Sequence, residues 1–211
     1  MVQKKPPTRS SIFEIPAPPA RPLQRIGVMG GSFNPPHDGH RIVAATALRR
    51  LNLDRLWWLV SPGNPLKNQD DLAPLDERIK VAKQFATDPR MEITAFEQKL
   101  DSPYTASTLA FLKERYPRAL FVWVMGADNL ASFHKWRNWH DIVSTLPIAV
   151  IDRPGWHLKA LASPAARTMA GDRVPETHAG ALPMMKPPAW TFLTTRLSRL
   201  SSSSLRQENQ R

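Results

Sequence analysis

Apolar and polar positions follow two rhythms along this chain. Short, nearly continuous apolar runs recur through its middle: RIGVMG (25–30), RLWWLV (55–60), MEIT (91–94), ALFVWVMG (119–126) and PIAVID (147–152). Between them the apolar positions take helical spacing. Ile42, Val43, Ala45, Ala47, Leu48 and Leu51 form one stripe, with Asp38 as the expected cap near its start, LDERIKVAKQFA from Leu75 forms a second, and Leu109, Leu112 and Tyr116 a third. Strands that alternate with helices need crossover connections, so the pattern predicts an α/β fold with a doubly wound parallel sheet. The 119–126 run is apolar at nearly every position, as a central strand buried on both faces requires. Further on, a helix is expected over 158–169 and a last strand at WTFL (190–193). The loop after the second run, 61–74, is rich in Pro, Gly and Asn and longer than most connections, which marks it as a functional candidate.

Composition narrows the function classes. Of 211 residues 42% are hydrophobic, enough for a sizeable core. No apolar run approaches the roughly 18 residues of a membrane span, and the proline-bearing N-terminus does not read as a secretory signal. The absence of cysteine excludes disulfides, thiolate metal sites and cysteine nucleophiles, and agrees with a cytoplasmic location. The net charge of +11 would suggest nucleic acid, but its distribution argues otherwise. Residues 1–25 hold five Lys/Arg against one acid and residues 153–211 nine against three, while the middle holds fifteen against fourteen. Proline follows the same division, with six in 1–25 and six in 153–188. The expected organisation is a disordered, Pro-rich basic tail over 1–24 and a single domain over 25–211, interrupted by a long irregular connection at about 153–189.

The stretch between the first strand and first helix carries the chemistry: Gly30-Gly31-Ser32-Phe33-Asn34-Pro35-Pro36-His37-Asp38-Gly39-His40. In an open parallel sheet, ligands bind beyond the carboxyl ends of the strands, where a helix N-terminus offers free N–H groups to an anion. Gly30 and Gly31 would let a ligand approach the backbone. His37 and His40 share one helix face, where an imidazolium could neutralise phosphate or a neutral ring could donate a hydrogen bond. The string is neither a Walker loop nor a dinucleotide fingerprint. Two histidines with no third ligand are weak grounds for a metal site.

The same string fits the pattern GxFxPxHxGH, and through it the chain resembles the nucleotidylyltransferase superfamily. Leu200-Ser201-Ser202-Ser203-Ser204-Leu205-Arg206 is similar to the serine-rich turn ending in arginine that accompanies that pattern. Four intervening stretches resemble those of bacterial nicotinate-nucleotide adenylyltransferases. They are Ser61-Pro62-Gly63-Asn64-Pro65-Leu66-Lys67, Ser102-Pro103-Tyr104-Thr105-Ala106-Ser107-Thr108-Leu109, Met125-Gly126-Ala127-Asp128-Asn129-Leu130 with residues 133–136, and Asp152-Arg153-Pro154-Gly155. Asn34 stands where the family often has Asp, and Leu66 where it often has His.

The resemblance implies a Rossmann-like nucleotidyltransferase fold and transfer of AMP from ATP to nicotinate mononucleotide. It implies catalytic roles for His37, His40 and Arg206, and ATP contacts from Gly30, Gly31, Ser32, Phe33, Gly39, Gly126, Asp128, Ser202 and Ser203. Acceptor contacts would come from Lys67, Tyr104, Thr105, Trp136 and Arg153. Mg²⁺ would arrive on the ATP phosphates, with no metal site made by the protein. Small-molecule substrates are therefore the expected partners, rather than a membrane or nucleic acid. Another acceptor, such as nicotinamide mononucleotide or phosphopantetheine, is the alternative within the superfamily, and a basic nucleic-acid-binding protein the alternative outside it.

Overall fold

The structure, a computed structural model, describes residues 16–63, 72–100 and 102–195. Lys67, Ser202, Ser203 and Arg206 lie outside the described residues. Six strands, β1 (Arg25–Gly31), β2 (Arg55–Val60), β3 (Met91–Thr94), β4 (Leu120–Gly126), β5 (Ile148–Ile151) and β6 (Trp190–Leu193), form one parallel sheet in the order β3-β2-β1-β4-β5-β6. The order reverses between β1 and β4, which places a crevice beyond the carboxyl ends of those two strands.

Helices cover both faces. Against one face lie α1 (Asp38–Arg50) and α2 (Leu75–Phe85), packed on Met29, Trp58, Val60, Val122 and Val124. Against the other lie α3 (Thr105–Arg115), α4 (Ala127–Ser132) and α5 (Trp139–Thr145), packed on Ile26, Val28, Trp57, Trp123 and Met125. Successive residues of β4 belong alternately to the two cores, which is the two-residue strand period with both sides buried, and explains why the run is apolar throughout.

Two expectations change. The 153–189 connection is not irregular: it holds α6 (His157–Leu161), α7 (Pro164–Thr168) and two 3-10 stretches, Ala170–Asp172 and Glu176–Met184. The helix expected over 158–169 is split there because Ser163 caps a new helix, its Oγ accepting from Ala166 N at 3.2 Å, with Pro164 in the first helical position. Within the expected tail, residues 16–24 are seated on the domain. Tyr116 Oη donates to Pro18 O at 2.9 Å, Leu23 N donates to Arg118 O at 2.7 Å, and Ala17 and Ala20 pack against the core.

Candidate active site

The β1–α1 turn is held by its own histidines. His37, not Asp38, is the N-cap of α1: its Nδ1 accepts from Gly39 N at 3.0 Å, while His40 Nδ1 accepts from His37 N at 3.2 Å. This is the reciprocal logic of a capping box, executed by two imidazoles. A ring nitrogen that accepts from an amide carries no proton, so each ring holds its proton on Nε2 and offers an N–H donor there. The rings lie against each other, 3.9 Å between centroids. Burial first, and the nearby Arg153 charge second, lower the His37 pKa from 6.5 to about 4. His37 is therefore neutral at pH 7, which decides between the two states the sequence left open for it.

Phe33 turns the chain with φ +45° and stacks on Trp58 at 4.7 Å and 15°, with the His40 ring 4.9 Å away. Asn34 is buried, and its Oδ1 accepts from Ala73 N at 3.1 Å. The glycines also serve neighbours. A Cβ on Gly30 would lie 2.7 Å from Trp123 Cη2, and one on Gly31 3.3 Å from the Phe33 ring, so intramolecular packing also calls for glycine at both positions. At Gly39 a Cβ would lie 2.7 Å from His37 Cε1 and 3.0 Å from Arg153 Nη2. At Gly126 it would run into the Asp128 carboxylate and lie 2.8 Å from Arg153 Cδ.

Arg153 and Asp128 thus meet over the start of α1, with Arg153 Nη1 3.0 Å from Asp128 Oδ2. Asp128 Oδ1 is buried with no hydrogen-bond partner among the described residues. Arg153, expected among the acceptor contacts, lies beside His37, Gly39, Gly126 and Asp128. Beside it, buried Asp152 accepts from Arg153 N at 2.8 Å and from His157 Nδ1 at 2.7 Å, which fixes the backbone of this arginine.

The other side of the crevice is built of aromatic faces. Tyr104 precedes α3, Thr105 is its first residue, and no side chain caps its N-terminal amides among the described residues. The Arg137 guanidinium lies 4.6 Å over the Tyr104 ring, which brings the neighbouring Trp136 to the same side. Trp136 packs edge-on against Phe133 at 5.4 Å and Trp123 at 6.5 Å. Below, Thr108 Oγ1 donates to Glu97 at 2.6 Å, and burial raises the Glu97 pKa from 4.5 to about 6. Arg137, Glu97 and Arg78 were missed in the sequence, because isolated charged residues give no spacing signal; only tertiary partners single them out.

A parallel sheet whose strand order reverses at β1/β4, a helix that starts at that point and two oriented imidazole donors together define a nucleotide-handling α/β protein. Residues 28–208 match the family described as cytidylyltransferase-like, and the chain belongs to that family. A protein of Rhizobium meliloti (strain 1021) named "Probable nicotinate-nucleotide adenylyltransferase" is 56% identical over 181 residues, covering 86% of this chain and 96% of that protein. One of the same name from Methylorubrum extorquens is 55% identical over 182 residues, 86% of this chain and 98% of its own. Among solved structures, the Plasmodium falciparum nicotinic acid mononucleotide adenylyltransferase complexed with NaAD superposes with a TM-score of 0.64 at 17% identity, over 87% of this chain and 83% of that one, a likeness of fold. No helix among the described residues is long and apolar enough to cross a membrane.

Proposed function

We propose that the chain is a nicotinate-nucleotide adenylyltransferase, transferring AMP from ATP to nicotinate mononucleotide to give nicotinate adenine dinucleotide and pyrophosphate. The observation that carries the chemistry is the pair of Nε2–H donors at the start of α1; the acceptor is supported by the names of relatives more than half identical over most of the chain.

The acceptor phosphate oxygen attacks the α-phosphorus of ATP in line, and pyrophosphate leaves with the electron pair of the broken bond. The nucleophile is already an anion, so no side chain need remove a proton. Catalysis then consists of alignment and stabilisation of charge on the phosphoryl oxygens. His37 and His40 donate to those oxygens without changing protonation state, assisted by the backbone N–H groups of α1. Arg153 adds a guanidinium suited to bidentate phosphate contact, and Asp128 Oδ1, which has no hydrogen-bond partner among the described residues, accepts from ribose hydroxyls. Gly30, Gly31, Ser32, Phe33, Gly39 and Gly126 form the walls of this half. Ser202, Ser203 and Arg206 complete the phosphate clamp. On the acceptor side, Trp136 and Tyr104 flank the pyridine ring, the amides at Thr105 receive the nicotinate carboxylate, and Lys67 the acceptor phosphate.

Mg²⁺ enters as part of the ATP substrate. The Nε2 nitrogens of both histidines carry protons and are donors rather than metal ligands, and Asp128 is engaged by Arg153, so this donor set suits phosphate oxygens better than a cation. Residues 25–211, with 16–24 seated against them, act on this reading as one catalytic domain, and its substrates belong to the cytoplasm.

The test is pyrophosphate release with Mg²⁺ and ATP, comparing nicotinate with nicotinamide mononucleotide. Fast release with the acid and little with the amide is expected, since donors aimed at a carboxylate would face the N–H groups of an amide. Equal rates would overturn the acid selectivity, and silence with both would overturn the reaction.

A further inference from the structure

Arg78, in the first turn of α2, is 3% exposed. Its Nε donates to Ala73 O at 2.8 Å, Nη1 to Ser32 O and to Ser61 O at 2.8 Å each, and Nη2 to Pro62 O at 3.2 Å. These four carbonyls belong to three separate pieces of chain: the turn after β1, the exit from β2 and the lead into α2. None is a carboxylate. A buried cation held, among the described residues, by neutral acceptors is an expensive way to brace two loops, and burial accordingly lowers its pKa. A further tie runs parallel to it, from Ala73 N to Asn34 Oδ1 at 3.1 Å, back to the same turn after β1. The planar fork of arginine can reach several carbonyls in fixed directions, which the compact head of lysine cannot.

We propose that Arg78 is a positioning residue of the transfer reaction: it locks the turn that carries His37 and His40 to both ends of the β2–α2 connection, so that the phosphate donors stand at one fixed place in the crevice. The inference rests on the proposed function for its kinetic consequence and on the hydrogen bonds alone for its mechanical one. Displacement of reacting groups by about 1 Å can cost on the order of 10²-fold in rate. Substrate binding is spread over many other contacts and loses much less.

The experiment takes the full chain with Arg78→Lys and Arg78→Gln, together with Asn34→Ala, which removes the parallel tie and leaves Arg78 in place. Each protein is checked for cooperative melting and for the fraction that binds a non-hydrolysable ATP analogue. The expected result for both Arg78 variants is a kcat about 10- to 100-fold lower per binding-competent molecule, with both KM values within about threefold, lysine giving no rescue. Without any substrate, amide exchange should quicken together at residues 32–34 and 61–63, while β4 and α3 stay unchanged. Asn34→Ala should show the same signature at smaller amplitude, and it decides the matter if the Arg78 variants do not fold. Wild-type kcat in Arg78→Lys, activity lost only in proportion to binding-competent protein, or exchange that quickens in one segment alone would overturn the proposal. If the wild-type chain transfers to neither mononucleotide, the functional reading fails, while the exchange result still decides the lock.

Discussion

The two halves of the crevice are built on opposite physical plans. On the side proposed for the nucleotide, backbone and side chains are wired to each other: His37 to Gly39, His40 to His37, Arg153 to Asp128. On the side proposed for the acceptor, Trp136 and Tyr104 are met by faces and edges, Trp136 by Phe133 and Trp123, and Tyr104 by Arg137. Phosphate charge rewards donors fixed in direction before the substrate arrives, because their reorganisation would otherwise add to the barrier. A flat aromatic acceptor is held well by surfaces that slide a little. Each half also buries one titratable group with its pKa moved by burial, and in opposite senses for stability: His37 is kept from gaining a proton, Glu97 from losing one.

That contrast can be broken first at His40. On the wired side, His40→Ala should lower kcat by on the order of 10²-fold or more with little change in the KM for ATP, since a transition-state donor is lost. A nearly wild-type kcat in steady-state pyrophosphate release would remove His40 from the mechanism.

The acceptor side should answer differently. Trp136→Ala is expected to raise the KM for nicotinate mononucleotide about tenfold, equivalent to about 1.4 kcal/mol, leaving that for ATP unchanged. Equal effects on both substrates would erase the distinction between the halves.

Gly39→Ala tests how tightly the wired side is packed. The added Cβ falls 2.7 Å from the His37 ring and 3.0 Å from the Arg153 guanidinium. One or both must move, at a cost to stability of about 1–3 kcal/mol together with a drop in kcat, measured by denaturant unfolding and rate on the same sample. Unchanged stability would show that the turn yields easily.

The smallest effect is on pH. His37 titrates at 6.5 unfolded and at about 4 folded, so stability falls as pH drops through that interval. Glu97 titrates at 4.5 unfolded and at about 6 folded, so its contribution rises as pH falls from about 6 to 4.5. Within the overlap the two oppose each other. Glu97→Gln removes one of them, and its stability should fall more steeply than wild type between those limits, by about 1.4 kcal/mol per pH unit at most. Parallel melting curves for the two proteins across that range would contradict this.

Much of the frame was legible in the chain. The runs at 55–60, 91–94 and 190–193 are strands with those same limits, and the run at 119–126 is a strand one residue shorter, because burial on one or two faces writes its period directly into residue type. The glycine–proline–histidine string does lead from β1 into α1, since the helix start it serves is local. The misreadings have a common origin. Asp38 was expected to cap α1, but His37 does so by folding its ring back over Gly39. Nor did the sequence show that Gly30 also makes room for Trp123, which is far away in the chain but next door in the sheet.

By itself, then, the sequence determined the strands, the parallel sense of the sheet and the string that leads from β1 into α1, because each follows from periodicity or from groups within a few residues of one another. Only the tertiary structure decided which nitrogen of each histidine carries the proton, that Arg153 meets Asp128 beside His37, and that Arg78 joins two loops. Those depend on hydrogen bonds and fields between groups brought together by folding, whose strength falls off with distance in space and leaves no spacing for a sequence to display.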